Sequence, residues 1–201
     1  MAITRERFEQ GLTYDQYKDT MKTNRERLEA NERRLHLTDP DLNVFKRLPR
    51  PLNVLALAED WCGDVIANLP ILGRIAAESG TLNVRVFARD ENPDIMDQYL
   101  NKGQFKSIPV FVFFDDDFNE IGRFVERPDS VTRLRAQKRQ EMSEQHPEFG
   151  PPDQPIDQLP EDVRVRLAAA VAEMREEMVE FANGEVVREL RAIVERVPSS
   201  A

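Results

Sequence analysis

Three short apolar runs limit what this chain can fold into. Leu52–Ala58 (LNVLALA), Leu82–Ala88 (LNVRVFA) and Val110–Phe114 (VFVFF) are five to seven residues long and bounded by prolines, charges or glycine. Runs of that length, rich in β-branched and aromatic residues, read as strands of a buried sheet and are too short for helices. Between the first two lies Gly63–Ser79, with Val65, Ile66, Leu69, Leu72, Ile75 and Ala76 recurring at helical spacing. Between the second and third, Asp94–Leu100 has the pattern of a short helix. Phe118-Asn119-Glu120 marks a hairpin turn into a fourth apolar segment, Ile121–Val125. Strand, helix, strand, helix, strand, strand is an α/β order, and it predicts a mixed sheet of about four strands with helices on both faces.

The flanks are helical and charged. Over residues 5–35, Phe8, Leu12, Tyr17, Met21, Leu28 and Leu35 recur at roughly helical intervals, and Thr13 with Gln16 has the spacing of a capping box. Asp41–Leu48 reads as a short helix ended by Pro49-Arg50-Pro51. Ser130–Gln145 is a charged helix, and Pro147–Pro160 is a proline-rich loop. Glu161–Ala182 is an amphipathic helix with Val163, Leu167, Val171, Met174, Met178 and Phe181 on one side, stopped by Asn183-Gly184; Glu185–Val197 is a last helix. The chain thus divides into an N-terminal helical extension (1–50), an α/β core (51–128) and a C-terminal helical extension (129–201) whose last helix is available to complete the core. The apolar stripe requires the extensions to be covered, by packing on the core or in a homodimer.

Composition removes several function classes. With 37 acidic against 28 basic residues in 201, the formal charge of −9 repels nucleic acid and anionic lipid surfaces. No apolar run approaches the ~20 residues that span a bilayer, so no membrane role is expected. The first residues lead into no apolar signal segment, and the expected location is cytoplasmic. One cysteine, Cys62, allows neither an intrachain disulfide nor a multi-thiolate zinc site. His36 and His146 lie far apart with no ligand spacing around them, so no metal and no cofactor are expected.

Cys62 is the residue with chemistry to offer. In Glu59-Asp60-Trp61-Cys62-Gly63-Asp64-Val65 it falls between the first strand and the helix that follows, at that helix's N-terminus. Free amides and the positive end of the helix dipole favour a thiolate there, while Asp60 and Asp64, on either side, oppose it. Arg89 and Lys106 are the cations nearest to hand to offset them. Trp61 reads as a lid over the thiol, a partner contact or a core residue. Asp64 also fits the simpler role of an acid stabilising a first helical turn. A buried, inert cysteine is the alternative reading of Cys62.

Trp61-Cys62-Gly63 resembles the active-site segment of the thioredoxin family. Pro70, eight positions after Cys62, matches the family's kinking helix proline. Asp90-Glu91-Asn92-Pro93 is similar to its strand-to-helix turn, Ser107-Ile108-Pro109 to the segment holding its cis-proline, and Phe118-Asn119-Glu120-Ile121-Gly122 to its last hairpin. The likeness covers about residues 50–127. It implies a thioredoxin-like three-layer sandwich, with Cys62 as the reactive group, Trp61, Gly63, Asp64, Ile108 and Pro109 as a substrate groove, and Asp60, Arg89 and Pro70 in support. The departures are equally informative. The family's second cysteine falls on Val65 and its buried carboxylate on Ala56. The chain therefore cannot complete disulfide exchange within itself. It also lacks the tripeptide and diglycine of monothiol glutaredoxins, which argues against an iron–sulfur cluster. The resemblance implies a monothiol redox protein forming mixed disulfides through Cys62 with a low-molecular-weight thiol or a partner protein's cysteine. The alternatives are a non-catalytic binding module using the groove beside Pro109, and a peroxidatic or thiol-conjugating enzyme.

Overall fold

The structure, a computed structural model, describes residues 3–197. Four helices come first: α1 (Arg5–Glu9), α2 (Tyr14–Thr20), α3 (Arg25–Arg34) and α4 (Asp39–Lys46). The sheet segment follows as β1 (Leu52–Ala58), α5 (Gly63–Ser79), β2 (Leu82–Ala88), α6 (Pro93–Met96), β3 (Val110–Phe114) and β4 (Glu120–Val125). Then come α7 (Asp129–Gln145), α8 (Glu161–Glu177) and α9 (Val179–Val194), with two single 3₁₀ turns, Pro147–Phe149 and Ile156–Gln158, in the proline-rich stretch.

The strands lie in the order β2-β1-β3-β4. β1 pairs parallel with β2, Leu52 beside Leu82, and antiparallel with β3, Leu55 beside Val112. Every residue of β1 and of β3 is buried, which is why both are continuous apolar runs: the two central strands are covered on both faces. The outer strands alternate. The free edge of β2 is partly closed by Leu12, whose backbone N–H and C=O bridge to Val86 at 3.0 and 2.7 Å.

α5 is buried around much of its circumference because α3 and α4 pack on it as well as the sheet. Pro70, inside α5, has no N–H to give the carbonyl four residues back. That carbonyl, of Ile66, instead accepts a bond of 2.9 Å from the Asn31 side-chain amide on α3. The helix ends at Gly80, whose φ of 68° is left-handed. The Thr13–Gln16 capping box forms as expected, with bonds of 3.2 and 2.9 Å.

The residues up to Arg127 and those from Val186 onward form one compact unit, and Pro128–Glu185 form a second. The N-terminal helices are therefore part of the sheet unit: Phe8, Tyr17, Leu28, Leu35 and Phe45 join its core, as do Val186, Val187, Leu190, Ile193 and Val194 at the other end. Two expectations need correction. The amphipathic stripe does not join the sheet core: Val163 and Leu167 join Phe149 and Leu159 in a small core of the second unit, with Val171 against it. Asn183-Gly184 does not stop a helix either. The break falls at Met178, and α9 runs through Gly184. Glycine costs about 1 kcal/mol there, whereas each buried aliphatic residue later in α9 returns about 1.5–3 kcal/mol.

Candidate functional site

The site forms where β1 gives way to α5, at the carboxyl end of the parallel strand pair. Cys62 is the N-cap of α5, with extended backbone (φ −84°, ψ 118°). Its own N–H donates to Glu59 O at 3.2 Å, which folds the preceding loop into a turn, and its carbonyl accepts the Ile66 N–H at 3.0 Å, which starts the helix. The thiol is partly accessible. Sγ lies 3.6 Å from the Ile108 carbonyl oxygen, to which it donates, so Cys62 adjoins the segment that leads into β3. The Ile108–Pro109 peptide is cis.

The neighbouring charges are organised more closely than spacing could reveal. Asp64, in the first turn of α5, is bound by Arg127 at 2.6 Å, and the same guanidinium holds Glu126 at 2.6 Å. Arg127 is therefore the cation that offsets Asp64. Lys106 instead pairs with Asp97 at 2.9 Å, and Arg89 lies over the Trp61 ring, 5.0 Å from its centre, donating to the Lys106 carbonyl at 3.1 Å. Trp61 itself is 53% exposed and is not a core residue. Asp60 is held by the segment after α2: its carboxylate accepts the Lys22 and Thr23 amides at 2.6 and 3.0 Å, and its carbonyl accepts from the Asn24 side chain at 2.9 Å. Partial burial works to raise its pKa, but the Thr23 and Lys22 amides outweigh that and leave it lowered. Glu59, whose carboxylate accepts the Asp90 N–H at 2.8 Å, is shifted the other way, chiefly by burial.

Position 126 ties the segment leading into β3 to α5. Glu126 has a left-handed φ of 62°; its N–H donates to Pro109 O at 2.7 Å and its carbonyl accepts from Asn68 of α5 at 2.9 Å. Its carboxylate accepts from Asn101 at 3.1 Å. Val65 and Ala56 are fully buried and apolar, so no second thiol and no carboxylate stand at those positions. Pro70 is buried one turn beyond Ile66, and its part is to shape α5; Gly63 is the first residue of that helix.

A family model described as Thioredoxin matches residues 11–141. The chain belongs to the thioredoxin family. Two solved structures of similar architecture extend over nearly the whole thioredoxin-family chain. One is a protein of unknown function from Pseudomonas aeruginosa, 21% identical, covering 97% of this chain and 98% of its own, with a TM-score of 0.65. The other is an HIV epitope-scaffold, 18% identical, covering 96% and 98%, with a TM-score of 0.64. Both support the fold, with its helical extensions. No curated protein matches the chain. No described helix is long and apolar enough to cross a membrane, and no group of histidine, cysteine and carboxylate side chains suited to a metal occurs among the described residues.

Sequence reading placed Cys62, Trp61, Gly63, Asp64, Ile108 and Pro109 in one neighbourhood. It missed Arg127, Glu126 and the clamp on Asp60 from the Lys22–Asn24 segment. Arg127 and the clamp have no local signature, since each acts across the fold.

Proposed function

We propose that this protein is a monothiol redox protein in which Cys62 forms mixed disulfides with a low-molecular-weight thiol or a partner protein's cysteine. One observation carries the reading: a partly accessible thiol stands at the N-cap position of α5, beside the Ile108–Pro109 segment, with no second cysteine in the chain. The Cys62 thiolate would attack a disulfide R–S–S–R, forming Cys62–S–S–R and releasing R–S⁻, which takes a proton from solvent. An outside thiol then attacks the mixed disulfide and regenerates Cys62, because Val65 offers no internal one. The exposed Trp61 face and the groove beside Pro109 supply the contact surface, and Arg127 limits the cost that Asp64 imposes on the thiolate.

A specific observation favours a second reading, a binding module in which the thiol is incidental. The S–H donates to the Ile108 carbonyl, and that bond is available to the thiol and lost to the thiolate. Isolation from the host under thiol-blocking conditions, followed by intact mass measurement, separates the two. Redox function expects a fraction of the protein carrying a disulfide-linked adduct at Cys62 that a reductant removes. A wholly unmodified Cys62 that also resists alkylation in the folded state refutes it in favour of the binding module.

A further inference from the structure

Tyr17 of α2 is 5% exposed, with its ring in the sheet unit's core. Its hydroxyl is buried and has no hydrogen-bond partner among the described residues. Such a group is costly to bury, and a phenylalanine would fill the same space without that cost. An orphaned hydroxyl of this kind calls for a role outside packing. Its surroundings indicate where. The segment that follows α2 is fastened to the β1–α5 loop by the Lys22, Thr23 and Asn24 bonds to Asp60, two residues before the thiol. Burial first, and then the negative charges of Asp60, Glu59 and Cys62, push the phenol's pKa up, so it stays a protonated donor across the pH range of thiol chemistry.

We propose that the Tyr17 hydroxyl is a positioning donor for Cys62, hydrogen-bonding to the sulfur, directly or through one water, when negative charge develops there. This rests on the redox reading above. The sulfur carries that charge twice in the exchange: as the attacking thiolate, and as the leaving thiolate when an outside thiol resolves the adduct. The other charged groups around it are Glu59 and Asp60 on the same loop, Asp64 with its partner Arg127, and Arg89 over Trp61. The three acids oppose a thiolate, and the two arginines are engaged elsewhere. Tyr17 is neutral, already desolvated, and without a hydrogen-bond partner among the described residues.

The test is the rate of Cys62 alkylation by iodoacetamide against pH, on the full chain, for wild type, Tyr17→Phe and Tyr17→Met, with Cys62→Ser as blank. The expected result for both variants is an inflection about one pH unit higher, with a roughly tenfold loss of rate below it. Folding stability should stay equal or rise, because the variants remove an unpaired buried hydroxyl; a purely structural tyrosine gives the reverse. Superimposed profiles, a rate loss that persists unchanged above the inflection, or failure of both variants to fold would each overturn the role of Tyr17. If wild-type Cys62 does not react at all, the redox reading falls and this inference with it. A reactive wild-type thiol indifferent to Tyr17 overturns the inference alone.

Discussion

The bond from Asn31 to the Ile66 carbonyl substitutes for the one that Pro70 cannot make, and this gives a prediction in which the sign of one mutation depends on another. Asn31→Ala leaves the Ile66 carbonyl, in a buried turn of α5, without its 2.9 Å donor. An unsatisfied buried acceptor costs about 1–3 kcal/mol. Alanine is the better helix former at position 31 of α3 and returns about 0.5 kcal/mol. The net loss is therefore about 0.5–2.5 kcal/mol. In a Pro70→Ala background, residue 70 has its own N–H, which donates to Ile66 in the ordinary helical way. There Asn31→Ala loses nothing essential and keeps the propensity gain, so it should be neutral or slightly stabilising. Urea unfolding of the four proteins, with the slope checked for constancy, measures the coupling directly. If Asn31→Ala costs the same in both backgrounds, the carbonyl is not the reason for the loss and the reasoning fails.

Two further outcomes follow from the loop around Cys62. Asp60 has a lowered pKa, so its contribution is present above the ordinary carboxylate range and is lost as pH falls through its folded value; Glu59, raised by burial, favours the folded state at low pH and loses that contribution as pH rises. Asp60→Asn should therefore lower the urea midpoint at about pH 7 and shrink the loss on going to about pH 4, whereas Glu59→Gln should hold or raise it at about pH 7; equal effects of the two substitutions would contradict these assignments. Val65→Cys places a second thiol one turn along α5 and should yield, on mild oxidation, a protein with no titratable thiol; reduced again and supplied with dithiothreitol as electron donor, it should accelerate insulin disulfide reduction over wild type; persistence of two free thiols would count against the exchange geometry.

Much of the sheet was legible because its elements declare themselves locally. The all-apolar β1 and β3 could belong only to the middle of a covered sheet, and the capping box at Thr13 carried its own geometry. The meeting of two segments was legible too, since Trp61-Cys62-Gly63 and Ile108-Pro109 are short motifs, and Cys62 Sγ does lie beside the Ile108 carbonyl. What escaped was long-range: Arg127 reaches Asp64 across more than sixty positions, and Asn31 answers a defect that Pro70 creates on another helix. The Asn183-Gly184 pair misled for a related reason. Its local preference for ending a helix is weaker than the burial won by the residues that follow, and that burial depends on a core assembled elsewhere in the chain.

The core of the sheet unit is built from both sides of Pro128–Glu185, and this bears on the order of events at the ribosome. By the time β4 has emerged, the sheet and the N-terminal helices are in hand, but Val186, Leu190, Ile193 and Val194 are still unmade. At roughly 5–20 residues per second, the intervening stretch takes on the order of seconds to synthesise. Throughout that interval the side of β4 where Gly122 will meet Ile193 stays uncovered. The nascent chain thus passes through a partly closed state with an apolar face open, and chaperones have their best opportunity to act in that window.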